Sequence, residues 1–230
     1  MKKIAVIIFV LLLILPIFSV SALPSETDSG ILYSIENGEV TIEGWGFADS
    51  IMKIPETIEG YPVKYVANQA CRGNDGIAEL YLPSSIVSIG EYAFAECDNL
   101  TKVVFKGGES IGLSAFRDCK ALLNVTLPKT LTLIDDSAFE GCTMLGKIKI
   151  PKSVTTIGFD AFIGCDRVRF DVSENPYAKQ YAKQYSIPTS FFDTWEFTVL
   201  LMVLICAAVL GMYFVLRHIV RKKKTADAKK

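Results

Sequence analysis

The dipeptide Ala-Phe recurs at Ala93-Phe94, Ala115-Phe116, Ala138-Phe139 and Ala161-Phe162, with spacings of 22, 23 and 23 residues. A fixed period of this size constrains the fold more than any composition, because each unit is too small to bury its apolar face alone and must stack on its neighbours. Three residues after each Phe stands a cysteine, Cys97, Cys119, Cys142 and Cys165, and three further on an apolar residue, Leu100, Leu122, Leu145 and Val168. Counting back 23 residues from Ala93 reaches Ala70, where Cys71 takes the Phe column and Asn74 the cysteine column. The pattern predicts a repeat solenoid of about five coils of 22–23 residues over 51–172.

Within a unit, alternate apolar residues such as Val103/Phe105, Val125/Leu127 and Ile148/Ile150 mark a short strand with one buried face. Pro128 or Pro151 ends the strand, since proline has no N–H to continue a ladder; Lys106 replaces it in the shorter unit. The Ala-Phe segment then reads as a compact helical or 3₁₀ corner with Phe inward. Phe94, Phe116, Phe139 and Phe162, with the four column cysteines, form the expected repeat core. Ahead of the array, Ile31–Ile35 and Glu39–Ile42 flank Asn37-Gly38, a hairpin signal that makes 23–50 a cap for the first edge. Behind it, Tyr177, Tyr181 and Tyr185 lie at i, i+4 and i+8, an amphipathic terminal helix in a cap and linker spanning 173–194.

With these columns laid out, the chain resembles the BspA-type leucine-rich repeat. The match rests on Ile150-Pro151-Lys152-Ser153-Val154-Thr155-Thr156-Ile157-Gly158-Phe159-Asp160-Ala161-Phe162-Ile163-Gly164-Cys165 and its upstream copies. Gly60-Tyr61-Pro62-Val63 resembles that family's opening, and Tyr177-Ala178-Lys179-Gln180-Tyr181-Ala182 its ending. The resemblance covers about residues 31 to 190. It implies a right-handed leucine-rich-repeat stack, surface display and, for some members, adhesion. Cys71, Asn74 and Lys106 depart from the family pattern.

The two ends of the chain are apolar. Lys2 and Lys3 precede an uncharged run from Ile4 to Phe18 and then Val20-Ser21-Ala22, so 1–22 reads as a signal peptide, with an uncleaved anchor as the other reading. Phe197 to Leu216 is 20 residues without a charge, bordered by Trp195-Glu196 and Arg217. At about 1.5 Å per residue that length matches a hydrocarbon core of about 30 Å, so 195–216 is read as a transmembrane helix. The tail 217–230 holds seven Lys and Arg against Asp227, which places it in the cytoplasm and the repeats outside a single-pass cell-membrane protein. Between Leu23 and Thr194 there are 23 acids and 15 bases, a balance that argues against nucleic acid as partner.

Candidate chemistry is sparse. The only histidine, His218, follows the apolar run, so the repeat region lacks Ser-His-Asp and Cys-His mechanisms and most metal sites. Adjacent Asp135 and Asp136 on an extended segment point apart and make a poor acid pair. No enzyme, cofactor or metal is expected. Disulfides are permitted in an exported protein, but the column position suits a small buried hydrophobe, so free buried thiols are expected. What remains is the outward face of the strands, with one column of Glu79, Lys102, Asn124 and Lys147 and another of Tyr81, Val104, Thr126 and Lys149. This is the candidate face of a binding or adhesion module for a protein or glycan ligand. The other reading is an accessory subunit whose span docks a membrane partner.

Overall fold

The computed structural model describes residues 24–46, 50–189, 199 and 202–213. Short strands set the frame. β1 (Ser25–Glu26), β2 (Ile31–Glu36) and β3 (Glu39–Trp45) form an antiparallel sheet turned at Asn37 and Gly38, both with positive φ, as a tight hairpin requires. Coil 1 follows as β4 (Ile51–Lys53), β5 (Thr57–Ile58) and β6 (Tyr61–Val66). Coils 2 and 3 contribute β7 (Glu79–Leu82), β8 (Ser88–Ile89), β9 (Lys102–Phe105) and β10 (Ser110–Ile111). Coils 4 and 5 add β11 (Asn124–Thr126), β12 (Leu133–Ile134), β13 (Lys147–Lys149) and β14 (Thr156–Ile157). β15 (Arg169–Asp171) opens a sixth turn, and helix α1 (Pro176–Gln184) completes it.

The first strand of each coil pairs in parallel with its neighbours, giving the order β11-β9-β7-β4 and, apart from it, β13-β15. The second strands form the other wall, β6-β8-β10-β12-β14, continued by β3 of the hairpin, which pairs in parallel with β6. All five expected corners are present. The strand column has a sixth member, β15, which the corner pattern does not mark because α1 occupies the place of an Ala-Phe segment.

The corners are runs of turns and not the expected helical or 3₁₀ pieces. Each holds two left-handed residues, Gln69/Gly73, Tyr92/Glu96, Ser114/Asp118, Ser137/Gly141 and Asp160/Gly164. The alternation aims every second N–H along the stack, so bonds that a helix would close internally go to the next coil. Tyr92, Phe94 and Glu96 donate to Leu113, Ala115 and Arg117, and Ser114, Phe116 and Asp118 to Asp136, Ala138 and Glu140, all at 2.7–3.0 Å. Inside this ladder Phe94, Phe116, Phe139 and Phe162 stack with centroids 5.3–5.4 Å apart and planes within 15°. All four are buried.

The cysteines are free thiols, buried in the repeats. Each column thiol donates to a Phe-column carbonyl of the preceding coil: Cys97 to Cys71, Cys119 to Phe94, Cys142 to Phe116 and Cys165 to Phe139, at 3.0–3.1 Å. The column therefore wants a small buried donor. Asn74 meets the same need at the array's start, where its amide donates to Trp45 C=O of the hairpin (3.2 Å). At Lys106 the backbone N–H donates to Leu82 C=O (3.2 Å), a bond that proline could not make. Beside it in the shortened coil, Gly107 lies against the Ser84 backbone, with no room for a Cβ.

The far end is closed through backbone atoms. The Tyr177 hydroxyl accepts from Ile157 N–H (3.0 Å), Tyr181 Oη donates to Gly158 C=O (3.1 Å), and the Asn175 amide, which also caps α1, donates to Pro151 and Val154 C=O. Past α1, Thr189 bridges to Phe170 on the outer side of β15.

Of the expected transmembrane segment 195–216, Val199 and residues 202–213 are described and helical. Among the described residues no helix is long and apolar enough to cross a membrane. The expected signal peptide 1–22, the tail 217–230 with His218, and residues 195–198, 200, 201 and 214–216 lie outside the described residues.

Candidate binding face

The register of the parallel strands decides which side chains share the face. Glu79 pairs with Lys102 and Lys102 with Asn124; Tyr81 pairs with Val104 and Val104 with Thr126. β4 and β15 extend both columns, placing Ile51 and Lys53 beside Glu79 and Tyr81, and Arg169 and Asp171 beside Lys147 and Lys149. The eight residues chosen from sequence all lie on this face, but they do not form one surface.

In coils 1 to 3 the polar groups satisfy one another. Tyr81 Oη donates to Glu79 Oε2 (2.5 Å), and Lys102 Nζ donates to Tyr81 Oη (2.7 Å) and lies 3.4 Å from Glu79 Oε2. Lys102 and Lys53 also stand over the Tyr81 ring, 5.0 and 5.8 Å from its centroid. The Tyr81 hydrogen bond, helped by Lys102, holds the Glu79 carboxyl below its ordinary pKa. Glu79, Tyr81, Lys102 and Val104 are all partly buried.

Between coils 4 and 5 the ladder stops. β11 pairs only with β9 and β13 only with β15, although Gly146 N–H still reaches Leu123 C=O (3.2 Å) just before the gap. A groove of about 520 Å³ opens there. Val125, Leu127 and Pro151 supply its apolar lining, beside Thr126. Lys129, Lys147, Lys149 and Lys152, all exposed, stand around it with a single acid, Glu174. Lys149 Nζ is 2.8 Å from Glu174 Oε1, and Lys147 Nζ is 2.9 Å from Asp171 Oδ2. The Lys149 hydrogen bond and charge, with smaller help from Lys129 and Lys152, pull the Glu174 carboxyl below its ordinary pKa.

Sequence columns thus place Thr126, Lys147 and Lys149 at the groove and leave Asn124 beside it. They miss Lys129, Lys152 and Glu174. A signal existed for the lysines: the position after the strand-ending residue reads Ser84, Gly107, Lys129 and Lys152 through successive coils. Among the described residues no three of His, Cys, Asp and Glu gather as a metal site.

Fold and face define a leucine-rich-repeat solenoid, a generic protein-interaction fold. The chain belongs to the family described as the BspA type leucine rich repeat region, matched in six copies over residues 50–186. It is 28% identical to a T. pallidum leucine-rich repeat protein of known structure, over 64% of this chain and 71% of that one, with a TM-score of 0.60. A leucine-rich repeat protein from Bacteroides ovatus is 31% identical over 63% of this chain and 40% of its own length, with a TM-score of 0.56. No curated protein matches the chain.

Proposed function

We propose that the chain is a non-enzymatic binding module, displayed outside the cell on the single span 195–216, that takes a protein or glycan partner on its strand face. The observation that carries this reading is the face itself. Six consecutive turns present their side chains in two columns, registered through coils 1 to 4 and again through coils 5 and 6, and the lysines of coils 4 and 5 remain exposed, not folded into a core. A repeated, extended surface of this kind suits recognition of a partner. Adhesion follows if the partner sits on another cell or surface.

The test uses the full chain in a neutral detergent as bait for surface-exposed material, beside the triple variant Tyr81→Ala, Lys102→Ala, Lys149→Ala. Tyr81 and Lys102 are partly buried and bond to each other, so the triple variant should melt somewhat below the unaltered chain, and circular dichroism checks that it remains folded. Loss of captured material in the triple variant supports the face. Equal capture by a folded triple variant removes it.

A further inference from the structure

We infer that the groove between β11 and β13 is a subsite for an extended acidic peptide segment carrying an apolar side chain, an inference that rests on the strand-face reading above and narrows it. Three observations converge. The region from Leu23 to Thr194 is acidic by 23 residues to 15, so four lysines around one groove are a local departure from its composition. Two of the four are spent on resident carboxylates, Lys149 on Glu174 and Lys147 on Asp171. Lys129 and Lys152 form no ion pair within 4.0 Å among the described residues, so their charge is available to a ligand.

The lining selects among anions. Val125, Leu127 and Pro151 present hydrocarbon between the lysines. A polyanionic sugar would set hydroxyls against that surface and leave them without partners, whereas an aliphatic or aromatic side chain gains from it. At about 520 Å³ the groove is within the range of about 300–1,000 Å³ that ordinary ligand sites occupy. Glu174 shows where a ligand carboxylate rests, because it already occupies the Lys149 ammonium.

Fluorescence anisotropy on the full chain in neutral detergent tests this with a labelled five-residue peptide alternating glutamate and leucine. A lysine–leucine peptide and polygalacturonate serve as comparison ligands. The glutamate peptide should bind and should weaken at high salt, as an exposed charge contact does. Lys129→Glu with Lys152→Glu should weaken it about tenfold or more, a loss of about 1.4 kcal/mol at the least. Glu174→Gln should tighten it, and Tyr81→Ala should leave it unchanged. Failure of the glutamate peptide to bind, equal binding by the folded double variant, or tighter binding of polygalacturonate overturns the proposal. The broader face reading fails separately, since it is read by capture of surface-exposed material, and a glutamate peptide that does not bind leaves that capture untouched.

Discussion

Across coils 1 to 3 the strand face is one continuous ladder on which Glu79, Tyr81 and Lys102 bond to one another. Across coils 4 to 6 the ladder parts, and lysines occupy the same columns in excess of their acids. Both halves have the same repeat, the same Phe stack and the same thiol ladder beneath. The outward positions are therefore free to diverge because the inward ones are fixed. One half spends its polar groups internally; in the other, Lys129 and Lys152 form no ion pair among the described residues. The corners vary on a different pattern: the later left-handed position is Gly73 in coil 1, Glu96 and Asp118 in coils 2 and 3, and Gly141 and Gly164 in coils 4 and 5.

The comparison breaks hardest at what the halves share. Phe116 stacks on Phe94 at one side and Phe139 at the other. Phe116→Ala should cost about 3–5 kcal/mol in denaturant unfolding, because the cavity sits in the middle of the stack. If only coils 1 to 3, which hold Phe116, loosen, seen as early amide exchange confined to them, the halves are independent units. Gly141→Ala should cost about 1–2 kcal/mol, from the left-handed backbone alone and before any contact with the Asp118 carboxylate. A neutral result would show that this corner relaxes.

Cys119→Val should cost about 1 kcal/mol, since the thiol's bond to Phe94 C=O is lost in a buried site. The repeat thiols are buried, and burial pushes that of Cys71, in the Phe column, up to about 12, so thiol reagents should label the repeat cysteines only after denaturation. Rapid labelling in the native chain would mean that the corners open. The smallest effect should have the opposite sign. Glu96→Gly relieves left-handed strain of about 1–2 kcal/mol but adds about 0.5–1 kcal/mol of glycine entropy and removes the exposed pair with Arg72, for a net gain of about 0.3 kcal/mol at the middle of these ranges.

Most of the fold was legible because inward residues repeat in kind. Ala, Phe, Cys and Leu recur at fixed offsets, and burial alone explains them. The left-handed corners were not, since Tyr92, Ser114 and Ser137 carry no glycine signal and are held by the bonds between coils. The sixth turn was hidden where α1 replaces the Ala-Phe corner. For the face, the registered columns gave the neighbours correctly, yet not the gap: Asn124-Val125-Thr126 and Lys147-Ile148-Lys149 alternate like every other strand. The parting belongs to how two coils stack and is written in no single residue type.

The closing helix has a consequence for how such a chain can change length. Tyr177, Tyr181 and Asn175 hydrogen-bond the last full coil through its peptide groups, at Ile157, Gly158, Pro151 and Val154, while Tyr185 packs on Phe159 and Tyr181 on Phe170. The lid therefore asks only that this last coil and β15 stay beneath it. Whole 23-residue units could be gained or lost upstream without redesigning the lid, so the number of turns is open to change by duplication or deletion while the seal stays the same.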